Sequence, residues 1–315
     1  MKYAKDTRAE GYKTETAEVI VEALPWIKNI TGKTVVIKYG GSAMVNQKLR
    51  DDVMSDIVLL KIIGVNLVIV HGGGYAITEV MEQLKVPVEF KRGLRVTSDK
   101  GMEVAKMVLV GKVNQELVET MNKHGKVAVG VSGSDAGTIM AKQYDPELGR
   151  VGVVTGINAT YLEDLIKDDY IPVVASVALG EDGGFYNVNA DLVAGEIAAT
   201  LGAHKVIFLT DVDGLYEDFD DKDSLISNLS LNEMKGMVEK GLISEGMIPK
   251  IKACINALAA GVFRSHIING CIPHSLLLEL LTNIGVGTTM HSTEEACTFD
   301  AHPLGNFASK LTENR

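Results

Sequence analysis

The sequence predicts an α/β fold in which helices cover a parallel β-sheet. Segments of four to seven largely β-branched residues alternate with helical patterns along the chain. This alternation is typical of parallel sheets, because parallel strands need long, usually helical, connections. Two of the segments also run directly into glycine-rich turns, at the strand ends where open α/β sheets bind ligands. The 315 residues, 46% of them hydrophobic, can bury a large core.

The first predicted element is a helix over residues 14–27, in which Ile20 and Leu24 belong to an apolar stripe at helical spacing. Pro25 is expected to kink it. The stripe could pack on its own domain or on another subunit. Trp26 favours the second interpretation, because aromatic residues are enriched at protein interfaces.

The remaining predicted elements follow one another in a single series. Strands are predicted near 34–39, 66–70, 127–131, 171–176 and 204–210, and helices near 46–63, 74–84, 98–124, 189–201 and 248–261. A short hairpin is predicted over residues 86–97, with Lys91, Arg92 and Arg95 near its turn. This hairpin could form a lid over a ligand or simply be a solvated basic edge strand.

No long linker or internal repeat divides the chain, so the predicted domain boundary near residue 180 is soft. We expect an N-terminal helical extension over residues 1–30, an N-lobe over 31–180, a C-lobe over 181–290 and a tail over 291–315. The two lobes are expected to share one continuous sheet.

The charge balance argues against a protein that binds nucleic acid through a basic surface. The formal net charge is −10, so an anionic ligand needs local positive charge. The N-terminus leads into no apolar leader, and no apolar run reaches the length of a membrane span. Cys254, Cys271 and Cys297 are far apart and are interpreted as reduced and structural. We therefore expect a cytoplasmic protein with neither a nucleic-acid nor a membrane partner.

Two glycine-rich turns are the most informative feature of the chain. Gly40 and Gly41 follow the strand that contains Lys38, and the three glycines at 72–74 follow the next predicted strand. Glycine lets the backbone bend tightly and bring its N–H groups close to a ligand, and N–H groups at a helix start form an anion cradle. One such turn alone is more often only the end of a strand. Two in tandem beside a lysine favour a phosphate ligand.

Several well-known phosphate and metal motifs are absent from the sequence. There is no G-x-x-x-x-G-K-[ST] loop, no protein-kinase motif set and no G-x-G-x-x-G spacing. The seven histidines form no pair at a spacing typical of zinc ligands. The sequence therefore argues against a Walker-type nucleotidase, a nicotinamide enzyme and a dedicated zinc site.

Four further polar segments carry candidate chemistry. Asp191 lies at the start of a predicted helix, where it could be catalytic or merely an N-cap. Residues 210–216 end a strand with two acids and a turn, which suits a nucleotide or is an ordinary Asp-Gly turn. Lys250 follows Pro249 in the first turn of a helix, where a cation is unfavourable unless an anion lies nearby. Arg95 offers a guanidinium fork to a carboxylate.

Together these segments resemble the amino acid kinase family, and are most similar to its members that phosphorylate N-acetyl-L-glutamate. The matching motifs are, in chain order, Lys38-Tyr-Gly-Gly, His71-Gly-Gly-Gly, Gly93-Leu-Arg-Val-Thr, Asn187-Val-Asn-Ala-Asp and Gly246-Met-Ile-Pro-Lys. Their joint order and spacing over residues 31–290 are far more specific than any one motif. The resemblance implies a three-layer αβα sandwich around a mainly parallel sheet of about eight strands. It also implies acceptor binding and dimerisation in the N-lobe and ATP binding in the C-lobe.

The resemblance further implies roles for individual residues. Lys38 and Lys250 would stabilise the transferring phosphoryl group, and Asp191 would hold both ammonium groups in place. The implied acceptor-binding residues are Gly72, Gly73, Arg95 and Asn187, with Arg95 on a carboxylate. The implied phosphate- and ATP-binding residues are Gly40, Gly41, Asp211, Val212, Asp213, Gly214, Leu215, Tyr216, Leu242, Ile243 and Ser244. ATP with Mg²⁺ would be the cosubstrate, with the ion held mainly by the ATP phosphates and not by a protein metal site.

The implied reaction transfers the γ-phosphoryl group of ATP to the γ-carboxylate of N-acetyl-L-glutamate. The products would be N-acetyl-L-glutamyl 5-phosphate and ADP, in the second step of arginine biosynthesis. No general base is needed, because a carboxyl group with a reference pKa of about 4.3 is already ionised at neutral pH. The enzyme must instead align two anions and neutralise their charge. Two alternatives stay open: a kinase for acetylaminoadipate or carrier-linked aminoadipate, and a non-catalytic arginine-sensing subunit.

The N-terminal helix and the segment from His266 to Gly287 resemble those of arginine-inhibited members. They imply a homohexamer, in which dimers are linked by the N-terminal helices, and arginine as an inhibitor near His266, Glu279 and Gly287. Glu279 could pair with a guanidinium or be a surface acid on the last helix. Asn269 and Cys271 stand where Asp and Arg are usual in the family pattern, a departure that bears on arginine binding and not on catalysis.

Overall fold

A computed structural model of the chain describes residues 10–40, 44, 46–244, 246–283 and 285–292. The α-helices in these ranges are α1 (Glu10–Ile30), α2 (Gln47–Ile62), α3 (Gly74–Gln83), α4 (Asp99–Lys106), α5 (Gln115–Asn122), α6 (Thr160–Lys167), α7 (Ala190–Thr200), α8 (Leu231–Glu239), α9 (Ile248–Ala259) and α10 (Ser275–Leu281). The strands are β1 (Thr34–Tyr39), β2 (Asn66–His71), β3 (Phe90–Lys91), β4 (Leu94–Arg95), β5 (Ala128–Ser132), β6 (Ile139–Gln143), β7 (Gly152–Ile157), β8 (Ile171–Ala175), β9 (Val177–Gly180), β10 (Phe185–Asn187), β11 (Lys205–Thr210), β12 (Leu215–Tyr216), β13 (Leu225–Ile226), β14 (Asn228–Ser230), β15 (Arg264–Asn269) and β16 (Gly287–His291).

One eight-stranded sheet runs through the molecule in the order β14-β16-β15-β11-β1-β2-β8-β5. Only the pair β15–β16 is antiparallel, and the other neighbouring pairs of this sheet are parallel. Strands β1, β2, β5 and β8 come from the part of the chain before residue 180, and the other four from the part after it. The expected continuous sheet therefore exists, and β1 and β11 join its two halves at its centre.

The sheet is the middle layer of three. Side chains alternate between its faces along each strand, so Val35 and Ile37 of β1 pack with α2, α3 and α5 on one side. Val36 packs on the other side, against α7, α8 and α9. Strands β1, β2, β8 and β11 are buried along almost their whole length, as expected for parallel strands covered on both faces. The αβα sandwich is therefore confirmed.

The predicted strands and the five helices predicted after β1 are confirmed to within two residues at each end. The helix predicted over 98–124 is one continuous helix that consists of α4, a π-helical segment at Met107–Asn114, and α5. The predicted first helix is longer than expected: α1 covers Glu10–Ile30 and contains Pro25.

A second, four-stranded sheet of order β10-β9-β6-β7 was not predicted. Its strands are short, and β7, Gly152–Ile157, contains two glycines and little buried surface. A sequence that lacks a long β-branched run gives a weak strand signal, so only the contacts with neighbouring strands define this sheet. Strand β10 of this sheet ends at Asn187, one of the residues predicted to bind the acceptor.

The predicted hairpin is confirmed as β3 and β4, which pair Phe90 with Arg95. Arg92 and Gly93 form its two-residue turn, both with positive φ (52° and 74°), the backbone that a type I′ turn requires. Arg92 is exposed, but Arg95 is buried. The interpretation as a solvated basic edge is therefore wrong for Arg95.

Helix α1 packs on the rest of the molecule through its C-terminal part. Ile30 is buried in the core, and α1 contacts α10. Val19, Ile20, Val21 and Leu24 leave between 53% and 65% of their surface exposed. Within the ranges that the structure describes, no helix combines the length and apolarity that crossing a membrane requires.

Candidate active site

The candidate site lies where the carboxyl ends of β1 and β2 meet the first turns of α7 and α9. Lys38 is near the end of β1, on the same face as Val36, because side chains two residues apart point the same way. Helices α7 and α9 cover this face. The alternation of β1 therefore directs Lys38 toward the helix that carries Asp191.

Asp191 contacts both predicted catalytic lysines. Its two carboxylate oxygens lie 3.1 Å from Nζ of Lys38 and 3.2 Å from Nζ of Lys250. The three side chains are only 8%, 10% and 15% exposed for Asp191, Lys38 and Lys250. Burial alone raises the pKa of Asp191, but the charges of the two ammonium groups outweigh it and hold the pKa below its usual range. The cluster is therefore an ionised carboxylate between two cations, with one positive charge in excess.

The helix cap explains how Asp191 reaches this position. Asn189 is the N-cap of α7, and its side chain accepts hydrogen bonds from the backbone N–H groups of Asp191 and Leu192. The interpretation of Asp191 as an N-cap is therefore wrong, because a neighbouring asparagine has that role. Asp191 is left free to use its carboxylate on the lysines.

Lys250 is brought to Asp191 by close packing of α7 on α9. A Cβ added to Gly195 of α7 would lie 2.8 Å from the carbonyl oxygen of Ala253 and 3.2 Å from its Cα. Glycine therefore lets the two helix backbones approach. Lys250 sits in the first turn of α9, after Pro249. The carboxylate of Asp191 supplies the anion that a cation at this end of a helix requires.

The first glycine turn fits closely around the lysine. A Cβ added to Gly40 would lie 2.5 Å from Nζ of Lys38, so a larger residue would displace the ammonium group. Gly41, the other glycine predicted here, lies outside the described residues.

The second glycine turn separates two cavities. The larger, about 650 Å³, is lined among others by Lys38, Gly40 and Asp191, and the smaller, about 210 Å³, by Arg95 and Asn187. Gly72 and Gly73 line both. All four residues predicted to bind the acceptor therefore line the smaller cavity, next to the larger cavity that Lys38 lines. Lys250 lines neither cavity.

Arg95 is a buried cation without a carboxylate partner among the described residues. Its Nη2 donates to the carbonyl of Gly74 at 2.9 Å and to the hydroxyl of Thr78 at 2.7 Å, and the guanidinium lies 4.7 Å from the ring centre of Phe90. Burial lowers the pKa of Arg95, although arginine stays charged at any physiological pH. An uncompensated buried charge is costly, so an anion is expected beside it.

Asn187 is held by its place in β10 and by residues just after β4 and just before β7. Its side-chain amide donates weakly to Thr97 at 3.5 Å, and its backbone N–H donates to the carbonyl of Arg150. The amide thus remains near Arg95 at the wall of the smaller cavity. Thr78 and Asn189, which orient Arg95 and Asp191, were missed by the sequence analysis. An asparagine two residues before Asp191 was a recognisable N-cap signal, whereas Thr78 offered none.

The predicted nucleotide residues lie together only in part. Residues 211–216 follow β11 directly, and Asp213 accepts hydrogen bonds from Asn269 (2.8 Å) and Tyr216 (2.7 Å). These bonds lower the pKa of Asp213. The segment is therefore more than a simple Asp-Gly turn. Residues 242–244 lie between α8 and α9, and Leu242 is exposed. Neither cavity is lined by these two segments.

The predicted effector residues form a buried cluster. Glu279 is 3% exposed in its side chain and accepts hydrogen bonds from His266 (2.7 Å), Thr289 (3.1 Å) and the backbone N–H of Val286 (2.9 Å). The interpretation of Glu279 as a surface acid is therefore wrong. Burial lowers the pKa of His266 to about 4, so the pair is a neutral imidazole donating to an ionised carboxylate. Gly287 packs tightly, since an added Cβ would lie 2.2 Å from the carbonyl oxygen of Ile267.

Cys254 and Cys271 are free cysteines, and Cys297 lies outside the described residues. Among the residues that the structure describes, no group of three or more His, Cys, Asp or Glu side chains could hold a metal ion.

Comparisons with known proteins agree with this architecture. A sequence model described as the amino acid kinase family matches residues 33–269. The acetylglutamate kinase of Caldicellulosiruptor bescii is 52% identical over 284 residues, covering 88% of this chain and 97% of that protein. The acetylglutamate kinase of Halothermothrix orenii is 49% identical over 277 residues, covering 86% and 96%.

Two solved structures share the fold at low sequence identity. N-acetylglutamate synthase from Neisseria gonorrhoeae, complexed with coenzyme A and N-acetyl-glutamate, superposes with a TM-score of 0.77 at 23% identity. The match covers 88% of this chain but 63% of the synthase chain. Carbamate kinase from Giardia lamblia bound to citric acid superposes with a TM-score of 0.64 at 17% identity, covering 83% and 99%.

Proposed function

The chain belongs to the amino acid kinase family and is a phosphotransferase, and on this premise we propose that it phosphorylates the γ-carboxylate of N-acetyl-L-glutamate with ATP. The products are N-acetyl-L-glutamyl 5-phosphate and ADP, in the second step of arginine biosynthesis. The observation that carries the proposal is the contact of Asp191 with both Lys38 and Lys250 beside a cavity that ends at Arg95.

The cation cluster suits phosphoryl transfer between two anions. Lys38 and Lys250 neutralise charge on the transferring group, and Asp191 fixes the positions of both ammonium groups. A charged group that is already in place before the reaction stabilises the transition state without reorganising. Because the acceptor carboxylate is ionised at neutral pH, the site needs no base to remove a proton.

The smaller cavity suits an acylated amino acid with a free carboxylate. Arg95 pairs with the α-carboxylate, and Asn187 donates or accepts at the amide of the acetyl group. Leu94, Leu109 and Val151 line the same cavity and provide apolar contact for a methyl group. The γ-carboxylate then points past Gly72 and Gly73 toward Lys38.

ATP binds along the C-lobe face next to β11. Residues 211–216 hold the sugar and phosphates, residues 242–244 contact the nucleotide from the far side, and Gly40 and Gly41 donate N–H groups to the phosphates. Mg²⁺ is bound mainly by the ATP phosphates, as is usual where the substrate supplies oxygen ligands, and it neutralises part of their charge. In this arrangement the N-lobe of residues 31–180 binds the acceptor and the C-lobe of residues 181–290 binds the nucleotide.

A coupled ADP-release assay with N-acetylglutamate, glutamate and acetylaminoadipate tests the proposal. We expect turnover with N-acetylglutamate to exceed that with either other acceptor. Faster turnover with acetylaminoadipate would assign the chain to the alternative kinase reaction. Isothermal titration tests the non-catalytic alternative, because an arginine-sensing subunit binds arginine but no Mg-ATP.

Arginine inhibition and a homohexamer are the finer parts of the proposal. The exposed apolar stripe of α1, made of Ile20, Val21 and Leu24, supports contact with another subunit. Buried Glu279 supports an arginine site, because a guanidinium could replace the donors that it now binds. We place the enzyme in the cytoplasm, where amino acid biosynthesis takes place.

A further inference from the structure

His71 is the last residue of β2 and is completely buried beside β1, the strand that carries Lys38. It pairs in register with Tyr39 of β1, one residue after Lys38. The sequence motif that begins with His71 suggested roles only for its glycines. A fully buried imidazole at the edge of the site is therefore a group that the proposed chemistry has not yet used.

The hydrogen bonds of His71 define one tautomer. Nδ1 lies 3.0 Å from the carbonyl oxygen of Gly72, which can only accept, so Nδ1 carries the proton. Nε2 lies 3.0 Å from Nδ2 of Asn114, which donates. The Asn114 amide cannot be flipped, because Nδ2 also donates to the carbonyl oxygen of Val173 at 2.7 Å. A proton on Nε2 would face a second donor, so the imidazole is neutral.

The environment of the ring supports the neutral form. Burial lowers the pKa of His71 to about 4. The charge of Lys38 lowers this pKa further, and the hydrogen bond to Gly72 raises it in part. The ring therefore adds no charge to the cation cluster at neutral pH.

The bond from His71 orients a peptide group at the boundary of both cavities. The carbonyl of Gly72 and the N–H of Gly73 belong to the same planar trans peptide and point in opposite directions. Fixing the carbonyl on His71 therefore directs the Gly73 N–H away from the ring. Within the described part of the chain, no acceptor contacts this N–H, and Gly73 lines both cavities.

Asn114 and the helical segment that carries it pack closely around the second glycine turn. Asn114 ends the π-helical segment Met107–Asn114, and wide turns of this kind are frequent at functional sites. Leu109 and Val113 of the same segment occupy the space that a Cβ of Gly73 would need, at 2.9 and 3.2 Å. A Cβ on Gly130 of β5 would lie 2.1 Å from Oδ1 of Asn114, so the neighbouring strand also leaves room for this amide.

We propose that His71, held by Asn114 as the neutral Nδ1–H tautomer, is a positioning residue that fixes the Gly72–Gly73 peptide so that the Gly73 N–H donates to the transferring phosphoryl group or the acceptor carboxylate. This inference rests on the proposed function. His71 carries no charge and acts by orienting this peptide, whereas the lysines act through their charge. Loss of the His71 side chain therefore lowers kcat more than it raises the KM for ATP.

The test compares two amide substitutions of His71 in the full chain. An asparagine amide reaches the position of Nδ1, whereas a glutamine amide reaches that of Nε2. We expect His71→Gln to lower kcat on the order of 10²-fold, the effect of misplacing a reacting group by about 1 Å, and His71→Asn to recover at least tenfold of this loss. His124→Gln, at an exposed histidine, is the control and leaves kcat unchanged.

Nitrogen NMR of labelled histidine gives a readout independent of activity. We expect His71 of the wild-type chain to show Nδ1 protonated and Nε2 unprotonated between about pH 6 and 8, well above its lowered pKa. An imidazolium or an Nε2–H tautomer overturns the inference, even if His71→Gln does not fold. Equal kcat for His71→Gln and wild type on N-acetylglutamate overturns it while leaving the proposed function intact. A wild-type chain without kinase activity overturns the proposed function itself, and the positioning role with it.

Discussion

At the scale of single residues, the site concentrates positive charge without exposing it. Lys38 and Lys250 share one carboxylate, so neither ammonium group is neutralised fully, yet both are held in place. Removing Asp191 would leave two like charges close together and nearly buried, which is unfavourable. Removing either lysine would leave the remaining pair neutral, and the attraction for an incoming phosphate would fall.

Substitution of either lysine by alanine is therefore expected to reduce turnover strongly. We expect Lys38→Ala and Lys250→Ala each to lower kcat by at least about 10²-fold, the typical effect of removing one transition-state donor. Steady-state kinetics with saturating ATP and N-acetylglutamate measure this. Near-normal turnover of either purified variant would contradict its assigned role.

At the scale of secondary-structure elements, the contact of α7 with α9 sets the distance between Asp191 and Lys250. Gly195 lies one turn after Asp191 on α7, and Ala253 lies nearly one turn after Lys250 on α9. A methyl group at Gly195 would meet backbone atoms of Ala253, which cannot rotate away as a side chain can. The two helices would have to separate.

We expect Gly195→Ala to move Lys250 away from Asp191 and so lower kcat on the order of 10²-fold. The same clash should lower the stability by about 1–3 kcal/mol, which thermal unfolding measures. Gly236→Ala on α8 is the matched control, because apart from the backbone of its own helix no described atom lies within 4 Å of its added Cβ. That variant should keep full activity and gain about 0.5–1 kcal/mol of stability. Equal kinetics for both alanine variants would show that the helix contact does not position the lysine.

A second contact between elements gives the stability a pH dependence. His274, just before α10, lies 2.7 Å from the buried carboxylate of Asp56 on α2, which raises the pKa of His274. A raised pKa means that the folded state binds the proton more tightly. The stabilisation is fully present below the unfolded pKa of about 6.5 and is lost as the pH rises through the higher folded value.

His274→Asn removes this titration while tolerating the left-handed backbone at this position, where φ is 58°. We expect the difference in melting temperature between wild type and His274→Asn to shrink as the pH rises from 6 to 9, because only the wild type loses an ion pair. Differential scanning calorimetry measures both proteins in the same buffers. Parallel pH profiles would exclude the contact as a source of pH-dependent stability.

At the scale of the whole molecule, one sheet joins the half that we propose binds the acceptor to the half that we propose binds the nucleotide. Neighbouring strands β1 and β11 come from the two halves, so the two substrates would meet at the centre of the sheet. Helix α1 lies apart from this centre and exposes the apolar stripe defined above. Among the described residues, this exposed apolar surface is where we expect further subunits to bind.

We expect light scattering to show a hexamer for the full chain and a dimer for a chain that lacks residues 1–24. This truncation keeps Ile30, which is part of the core. Millimolar arginine should inhibit the full chain and inhibit the truncated chain less. Substitution of Ile20 and Leu24 by serine is the control that keeps the helix but removes the stripe. No inhibition of the intact protein would reject arginine regulation.

The sequence predicted strands and helices well because their signal is local. The buried runs of β1, β2, β8 and β11 and the helices between them depend on periodicity that neighbouring residues carry themselves. The small sheet that presents Asn187 was missed, because its strands become strands only through contacts with distant partners. Likewise, the sequence could not distinguish Asp191 from an N-cap, since the choice depends on which side chain reaches the helix start.

By itself, the sequence determined the order of the elements, the glycine turns at the strand ends and the identity of the charged residues, because spacing and residue type are local properties. The tertiary structure alone decided which charges meet. It placed Asp191 between two lysines that lie 153 and 59 residues away in the chain. It also buried Arg95 and Glu279, and it brought the ring of His71 into hydrogen bonds with Gly72 and Asn114. These contacts form only when helices and strands pack, since packing brings together side chains that the chain itself keeps far apart.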